Sequence, residues 1–253
     1  MPANNPSVGD SSVDAAARRC LAFPLDYPDL ASARRGAEVV HSAVGVLKVG
    51  LELFVREGPP CLKLGSDFGV DIFLDLKLHD IPQTVERAVG SACQLGAKYL
   101  TLHAQGGSAM IEAAASRASK ENTGLQLLAV TVLTSIDQAD LKAIGVDATP
   151  ADQVLRLAAL ALGSGAHGLV CSPLELRALR TRFGNKPILV TPGIRAQSEK
   201  GADDQKRTGS AFDAIVDGSS LLVVGRPIRD AADPAGAARA LCAEISRAQR
   251  ALS

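Results

Sequence analysis

The chain has 253 residues, with 27 Lys+Arg against 27 Asp+Glu, 47% hydrophobic residues and 3% aromatic residues. That length suits one (β/α)8 barrel better than an open sandwich or two full domains. A formal net charge of zero supplies no global basic field for nucleic acid or an anionic membrane, and so few aromatics leave little for a base-stacking surface. Any bound anion must therefore be held by a local constellation. No apolar run reaches the roughly 18 to 20 residues needed to span a bilayer, and residues 1–19 contain no apolar core of a secretory signal. The cysteines at 20, 61, 93, 171 and 242 are odd in number and show no CxxC or Cys/His metal spacing. Reduced, mostly buried thiols in a cytoplasmic protein are expected.

Residues 1–19, rich in Asn, Pro, Ser, Asp and Ala, read as a flexible or weakly helical tail outside the core, which leaves 20–253 as the barrel domain. From there short apolar runs fall near 21–26, 44–49, 72–78, 98–103, 126–132, 167–171, 187–191 and 220–225. Between them lie Ala/Leu/Arg/Glu-rich segments with helical spacing, for example Asp29–Ala43, Pro82–Leu95, Ser108–Ser119, Pro150–Ser164, Leu174–Phe183 and Pro234–Ala251. Strand-like runs alternating with helices predict parallel βα units, and eight of them in a chain this long predict a single closed (β/α)8 TIM barrel. Its active site is expected at the C-terminal ends of the strands. Residues 196–210 break the rhythm: they are polar and aperiodic and follow a strand, which fits an active-site lid or, more plainly, a solvated loop.

The third strand carries the most chemistry, reading Asp71-Ile72-Phe73-Leu74-Asp75-Leu76-Lys77-Leu78-His79-Asp80. Side chains alternate faces along a strand, so Ile72, Leu74, Leu76 and Leu78 share an apolar face turned to the helices. Phe73, Asp75, Lys77 and His79 then point into the barrel. An Asp and a Lys are costly there unless paired. The same parity places Asp26 opposite the apolar face Leu21, Phe23, Leu25, and turns Lys48 inward between Leu47 and Val49. Asp26, Lys48, Asp75 and Lys77 thus surround one mouth. Alternating charges can all stay ionised where a lone charge would neutralise, which makes a preorganised electrostatic site with a Lys as proton donor. Asp80 has the wrong parity and lies at the Ile81-Pro82 turn, from which it would reach sideways, including towards another subunit.

On the far side, the seventh strand ends in Thr191-Pro192-Gly193-Ile194-Arg195 and the eighth in Val224-Gly225-Arg226-Pro227. Barrels often bind phosphate at the loops after these two strands. Glycines permit close backbone approach, and Arg195 and Arg226 supply forked donors. An ordinary βα turn explains either Gly-Arg pair taken singly; the two together point to a phosphate.

Leu47-Lys48-Val49-Gly50, Asp75-Leu76-Lys77-Leu78-His79-Asp80-Ile81-Pro82, Val132-Leu133-Thr134-Ser135, Thr191-Pro192-Gly193-Ile194-Arg195 and Val224-Gly225-Arg226-Pro227 occur in this order. Together they resemble the orotidine 5′-monophosphate decarboxylase family, in its bacterial-type branch, from about Leu21 to Asp230. The resemblance implies conversion of orotidine 5′-monophosphate to UMP and CO2, the last step of pyrimidine (UMP) biosynthesis, with no metal and no organic cofactor. By match of motif it implies a Lys48-Asp75-Lys77-Asp80 network in which Asp80 comes from the partner of a homodimer. Asp75 would lie against the substrate carboxylate, and Lys77 would stabilise and protonate C6. Thr84 would cross the dimer interface. Asp26 and Lys48 would hold ribose hydroxyls, and Thr134 and Ser135 would meet the pyrimidine. Gln205, in the polar loop, would fold over the phosphate with Arg195, Gly225 and Arg226.

Two alternatives share parts of this pattern. A metal-dependent decarboxylase or aldolase acting on keto-sugar phosphates would keep Asp75, Lys77 and Asp80, but Lys48 would compete with a bound Mg²⁺. A non-catalytic nucleotide-binding barrel would have little reason to keep a buried Lys beside a buried Asp. Among the histidines, a structural hydrogen bond is the expectation for His79, while His103 fits either the pocket floor or the core. His41 and His167 read as structural or exposed.

Overall fold

The computed structural model describes residues 14–194 and 209–252. Eight parallel strands close into a barrel in chain order. They are β1 (Leu21–Pro24), β2 (Val46–Val49), β3 (Asp71–Leu78), β4 (Tyr99–His103), β5 (Gln126–Val130), β6 (Gly168–Val170), β7 (Ile188–Thr191) and β8 (Leu221–Val223). β8 pairs back onto β1 through Leu21↔Leu222 and Ala22↔Val223, which closes the sheet on itself.

Strand alternation separates two cores. Leu21, Phe23, Leu47, Ile72, Leu74, Leu100, Leu102, Leu169 and Leu189 are buried between the strands and the surrounding helices. Ala22, Val46, Phe73, Leu128, Val190 and Leu221 fill the barrel interior. Phe73 and Tyr99 meet edge-on there, with centroids 6.0 Å apart. The apolar filling occupies the lower interior, so the polar inward residues of β2, β3 and β4 stand above it, towards the C-terminal ends.

Helix starts follow local chemistry. Pro82, Pro150 and Pro234 open the helices Pro82–Gln94, Pro150–Gly163 and Pro234–Ala251, at a position where a backbone N–H has no intrahelical partner. Asp29 caps Leu30–Val40 by accepting the Ser32 N–H at 2.7 Å. Gly107–Glu121 and Leu176–Phe183 complete the longer helices expected from the sequence. Shorter helices at Leu51–Glu57, Lys63–Phe68, Gln138–Ala143, Ala211–Val216 and Arg226–Arg229 add to the segments named from the sequence.

The sequence reading of residues 14–19 as tail is corrected. Ala15–Arg19 is a helix capped by Asp14, and Ala17 is fully buried. Arg18 donates to the carbonyls of Val44 and His41 at 2.9 Å each, and Ser246 Oγ donates to Asp14 Oδ2 at 2.7 Å. This segment belongs to the barrel body because it caps backbone at the lower end and bonds to the terminal helix.

Candidate active site

Four charged side chains line up across the top of β1, β2 and β3. Lys48 Nζ lies 3.5 Å from Asp26 Oδ1 and 3.5 Å from Asp75 Oδ2. Lys77 Nζ donates to Asp75 Oδ2 at 2.9 Å. The order is Asp26, Lys48, Asp75, Lys77, with each charge beside its opposite. The Lys48 and Asp75 side chains are only 12% and 13% exposed, whereas Lys77 is 31% exposed and opens to the mouth. Two unit charges about 4 Å apart interact by roughly 4 kcal/mol at an effective dielectric of 20, enough to oppose desolvation in an alternating row.

Asp75 shows that balance. Burial pushes its carboxyl up, but the Lys48 and Lys77 ammoniums, with donors from Lys77 and Thr101, overcome this and hold it below the ordinary carboxylate value. Its other oxygen, Oδ1, accepts from Thr101 Oγ1 at 2.9 Å. The same hydroxyl oxygen accepts the Lys77 backbone N–H at 2.8 Å.

β3 is not a regular strand here. Its ladder with β4 runs Phe73↔Tyr99 and Leu74↔Leu100, then resumes at Leu78↔Leu102. Asp75, Leu76 and Lys77 thus face the single residue Thr101, and Lys77 takes φ 50, in the left-handed region that non-glycine residues rarely enter. Because two residues are inserted, parity survives the bulge. Leu76 and Leu78 still pack on the helix side, and Asp75 and Lys77 stay on the same inner side.

The opposite rim is built of close turns. Gly193, after β7, has φ 81, and Ile194 pairs with Gly209, bringing together the two ends that flank 195–208. Gly225 precedes the short helix Arg226–Arg229; a Cβ there would come within 2.9 Å of Pro24 Cγ on β1. From that helix, Arg229 Nη1 donates to the Asp26 carbonyl at 3.3 Å. The rim after β8 is thereby tied to the first residue of the charge row.

A protein-family model described as Orotidine 5'-phosphate decarboxylase / HUMPS family matches residues 20–241. The chain belongs to this family. Among its decarboxylase relatives, a protein named Orotidine 5'-phosphate decarboxylase from Anaeromyxobacter sp. (strain K) is 51% identical over 229 residues, 90% of this chain and 98% of that protein. Another of that name from Frankia casuarinae is 47% identical over 253 residues, covering 92% of this chain and 90% of that protein. The crystal structure of Orotidine 5'-phosphate decarboxylase from Lactobacillus acidophilus is similar with a TM-score of 0.78 and 36% identity, covering 90% of this chain and 99% of that one.

Within this decarboxylase-family barrel, the expected site residues separate into groups. Asp26, Lys48, Asp75 and Lys77 converge. Asp80 does not join them within the chain: it is exposed, and its Oδ1 accepts the Ile81 N–H at 2.7 Å. Thr84 is exposed in the first turn of Pro82–Gln94. Thr134 and Ser135 lie in the turn after β5, the first half-buried and the second exposed. Gly225 and Arg226 sit on the β8 rim, while Arg195 and Gln205 lie outside the described residues.

His79, expected inward with a hydrogen bond, is exposed and instead stacks on His103, with centroids 5.4 Å apart. Burial, then His79 and Lys77, lower the His103 pKa, with Asp75 opposing. His167 is structural: its Nδ1 accepts the Leu127 N–H at 3.0 Å.

Two residues with evident roles escaped the sequence reading. Thr101 shares inward parity with Tyr99 and His103, a signal that was present in the strand at 98–103. At Gly50, a Cβ would stand 3.2 Å from Lys48 Nζ, so its missing side chain leaves room for the ammonium.

Proposed function

We propose that the chain converts orotidine 5′-monophosphate to UMP and CO2 as a metal-free carboxy-lyase in the last step of pyrimidine biosynthesis. The observation that carries this reading is the alternating row Asp26–Lys48–Asp75–Lys77 at the C-terminal mouth of the barrel. The names of the relatives support it.

The chemistry follows from charge. Breaking the bond between C6 and the carboxylate releases CO2 and leaves an electron pair on a vinylic carbon with poor delocalisation. An ammonium fixed at that carbon is worth more in the transition state than in the ground state, as catalysis requires. Lys77 fills this role, then transfers its proton to C6 and becomes a neutral amine that regains a proton before the next turnover. Asp75 keeps the ammonium in place and lies beside the substrate carboxylate. Asp26 and Lys48 hold ribose hydroxyls, and Thr134 and Ser135 meet the pyrimidine. Arg195, Gln205, Gly225 and Arg226 form the phosphate site, whose binding energy closes the site far from the reacting carbon.

Asp80 and Thr84 act across a homodimer. Both are exposed, as are Ile81, Pro82 and Gln83 between them, and Ile81 is 65% exposed. A partner covering this segment would bury its apolar residue and bring Asp80 to the charge row. The substrate is small, with no nucleic-acid or membrane partner; no helix among the described residues is long and apolar enough to cross a membrane. A cytoplasmic location fits the reduced cysteines.

The metal-dependent keto-sugar-phosphate reading meets an obstacle in Lys48. Its ammonium occupies the point between Asp26 and Asp75, 3.5 Å from each, where a cation would sit. The test is loss of orotate near-UV absorbance when protein meets orotidine 5′-monophosphate in EDTA. Rapid decay is expected. No decay in EDTA, with turnover of keto-sugar phosphates on adding Mg²⁺, would overturn the reading.

A further inference from the structure

We propose that Thr101 is a positioning residue for decarboxylation, its single hydroxyl fixing both the Asp75 carboxylate and the backbone that aims Lys77. This deepens the function proposed above and rests on Lys77 and Asp75 acting as described there.

Thr101 is fully buried, at the point of β4 that faces the bulge in β3. A hydroxyl has one proton to give and lone pairs to accept with. Here the proton goes to Asp75 Oδ1 at 2.9 Å, and a lone pair takes the Lys77 N–H at 2.8 Å. Asp75 Oδ2 is meanwhile held by Lys77 Nζ at 2.9 Å and approached by Lys48 Nζ at 3.5 Å. Both carboxylate oxygens are engaged, so the group cannot rotate without losing a partner.

The backbone bond matters as much. Lys77 sits at φ 50, a conformation that persists only when its surroundings hold it. The ladder with β4 is interrupted between Leu74 and Leu78, so the Lys77 N–H finds its partner in a side chain instead. Without that oxygen the N–H is unsatisfied, and the bulge is free to relax towards a regular strand that points the ammonium elsewhere. A shift of about 1 Å in a reacting group can lower a rate about a hundredfold.

Among the described residues, the charged and titratable groups facing Asp75 are Lys48 from β2, Lys77 on its own strand, and His103 on β4 beside Thr101. Asp26 stands beyond Lys48. None of these replaces a hydroxyl donor at Oδ1.

The experiment compares wild type, Thr101→Val, Thr101→Ser and Lys77→Ala, with kcat, KM for orotidine 5′-monophosphate, UMP affinity and the acid limb of kcat at saturating substrate. Thr101→Val keeps the shape and loses the hydroxyl. Expected are a fall in kcat of about 10- to 100-fold, UMP affinity within about threefold of wild type, and an acid limb moved to higher pH because Asp75 has lost a donor. Thr101→Ser is expected to restore most of kcat. If Thr101→Val does not fold, Thr101→Cys, similar in size with a weak donor, takes its place with the same expectations. Near-normal kcat with an unmoved acid limb in Thr101→Val, or a Thr101→Ser as impaired as Thr101→Val, would overturn the inference. Lys77→Ala keeps the two proposals apart: if it retains activity, the catalytic reading itself fails, whereas an inactive Lys77→Ala beside a normal Thr101→Val removes only Thr101.

Discussion

Asp75 is buried between the two lysines of the charge row. Its burial opposes ionisation, and its neighbours reverse that effect, so the carboxyl stays below its ordinary pKa of 3.8. A carboxyl lowered in the folded state stabilises the fold above its unfolded pKa and loses that contribution as pH falls through the folded value. Asp75 is therefore ionised throughout the neutral and mildly acidic range. At saturating substrate, kcat is expected to stay level as pH falls from about 7 to about 5, and a loss of half the activity by pH 5 that disappears in Asp75→Asn would contradict this. Arg226 tests the opposite rim. Arg226→Ala touches no reacting atom, yet with Arg226 in the proposed phosphate site its loss should lower kcat/KM by about tenfold or more. Near-normal kcat/KM would remove Arg226 from the phosphate site. The charge row was legible in the sequence, because Asp and Lys on an inward barrel face have few explanations other than a site. Thr101 showed only its inward parity, which does not stand out because a threonine inside a strand has an ordinary propensity reason to be there.

At the scale of elements, the apolar runs marked all eight strands to within a few residues, and Pro82, Pro150 and Pro234 marked helix starts. What alternation could not show was the bulge. Two inserted residues preserve parity, so the pattern Leu74, Leu76, Leu78 looks the same with or without it, and nothing in the composition of β3 announces a lysine at φ 50. The docking of the helix Ala15–Arg19 into the core was missed for a related reason: five residues carry only a weak helical pattern, and the segment is ordered by tertiary bonds to Val44, His41 and Ser246. The junction of β8 with its short helix makes a direct test of close packing. A Cβ at Gly225 would press on Pro24 at 2.9 Å. Gly225→Ala should cost about 1–3 kcal/mol of stability, the usual range for overpacking, and should also weaken UMP binding by displacing the β8 rim. Unchanged urea midpoint and unchanged UMP affinity would show that this approach is not tight in solution.

The whole molecule poses one question beyond the single barrel: where Asp80 acts. Within one chain it is exposed and bonded to its own turn, apart from the charge row. If it serves the partner's site, mixing Asp80→Ala chains with Lys77→Ala chains creates dimers with one intact site. With random exchange in a two-fold dimer, about a quarter of wild-type activity should return, and a mixture as inactive as its parents would place Asp80 outside the shared site. The catalytic reading as a whole depends most on Lys77, the most exposed ammonium of the row and the group set to give up a proton. The decisive measurement is the near-UV decay of orotidine 5′-monophosphate in EDTA with wild type and Lys77→Ala side by side, after UMP binding has shown both to be folded. Loss of both the electrostatic and the proton-transfer contributions should lower kcat by roughly ten-thousandfold or more. A Lys77→Ala rate within tenfold of wild type would contradict the assignment of this lysine, and with it the mechanism.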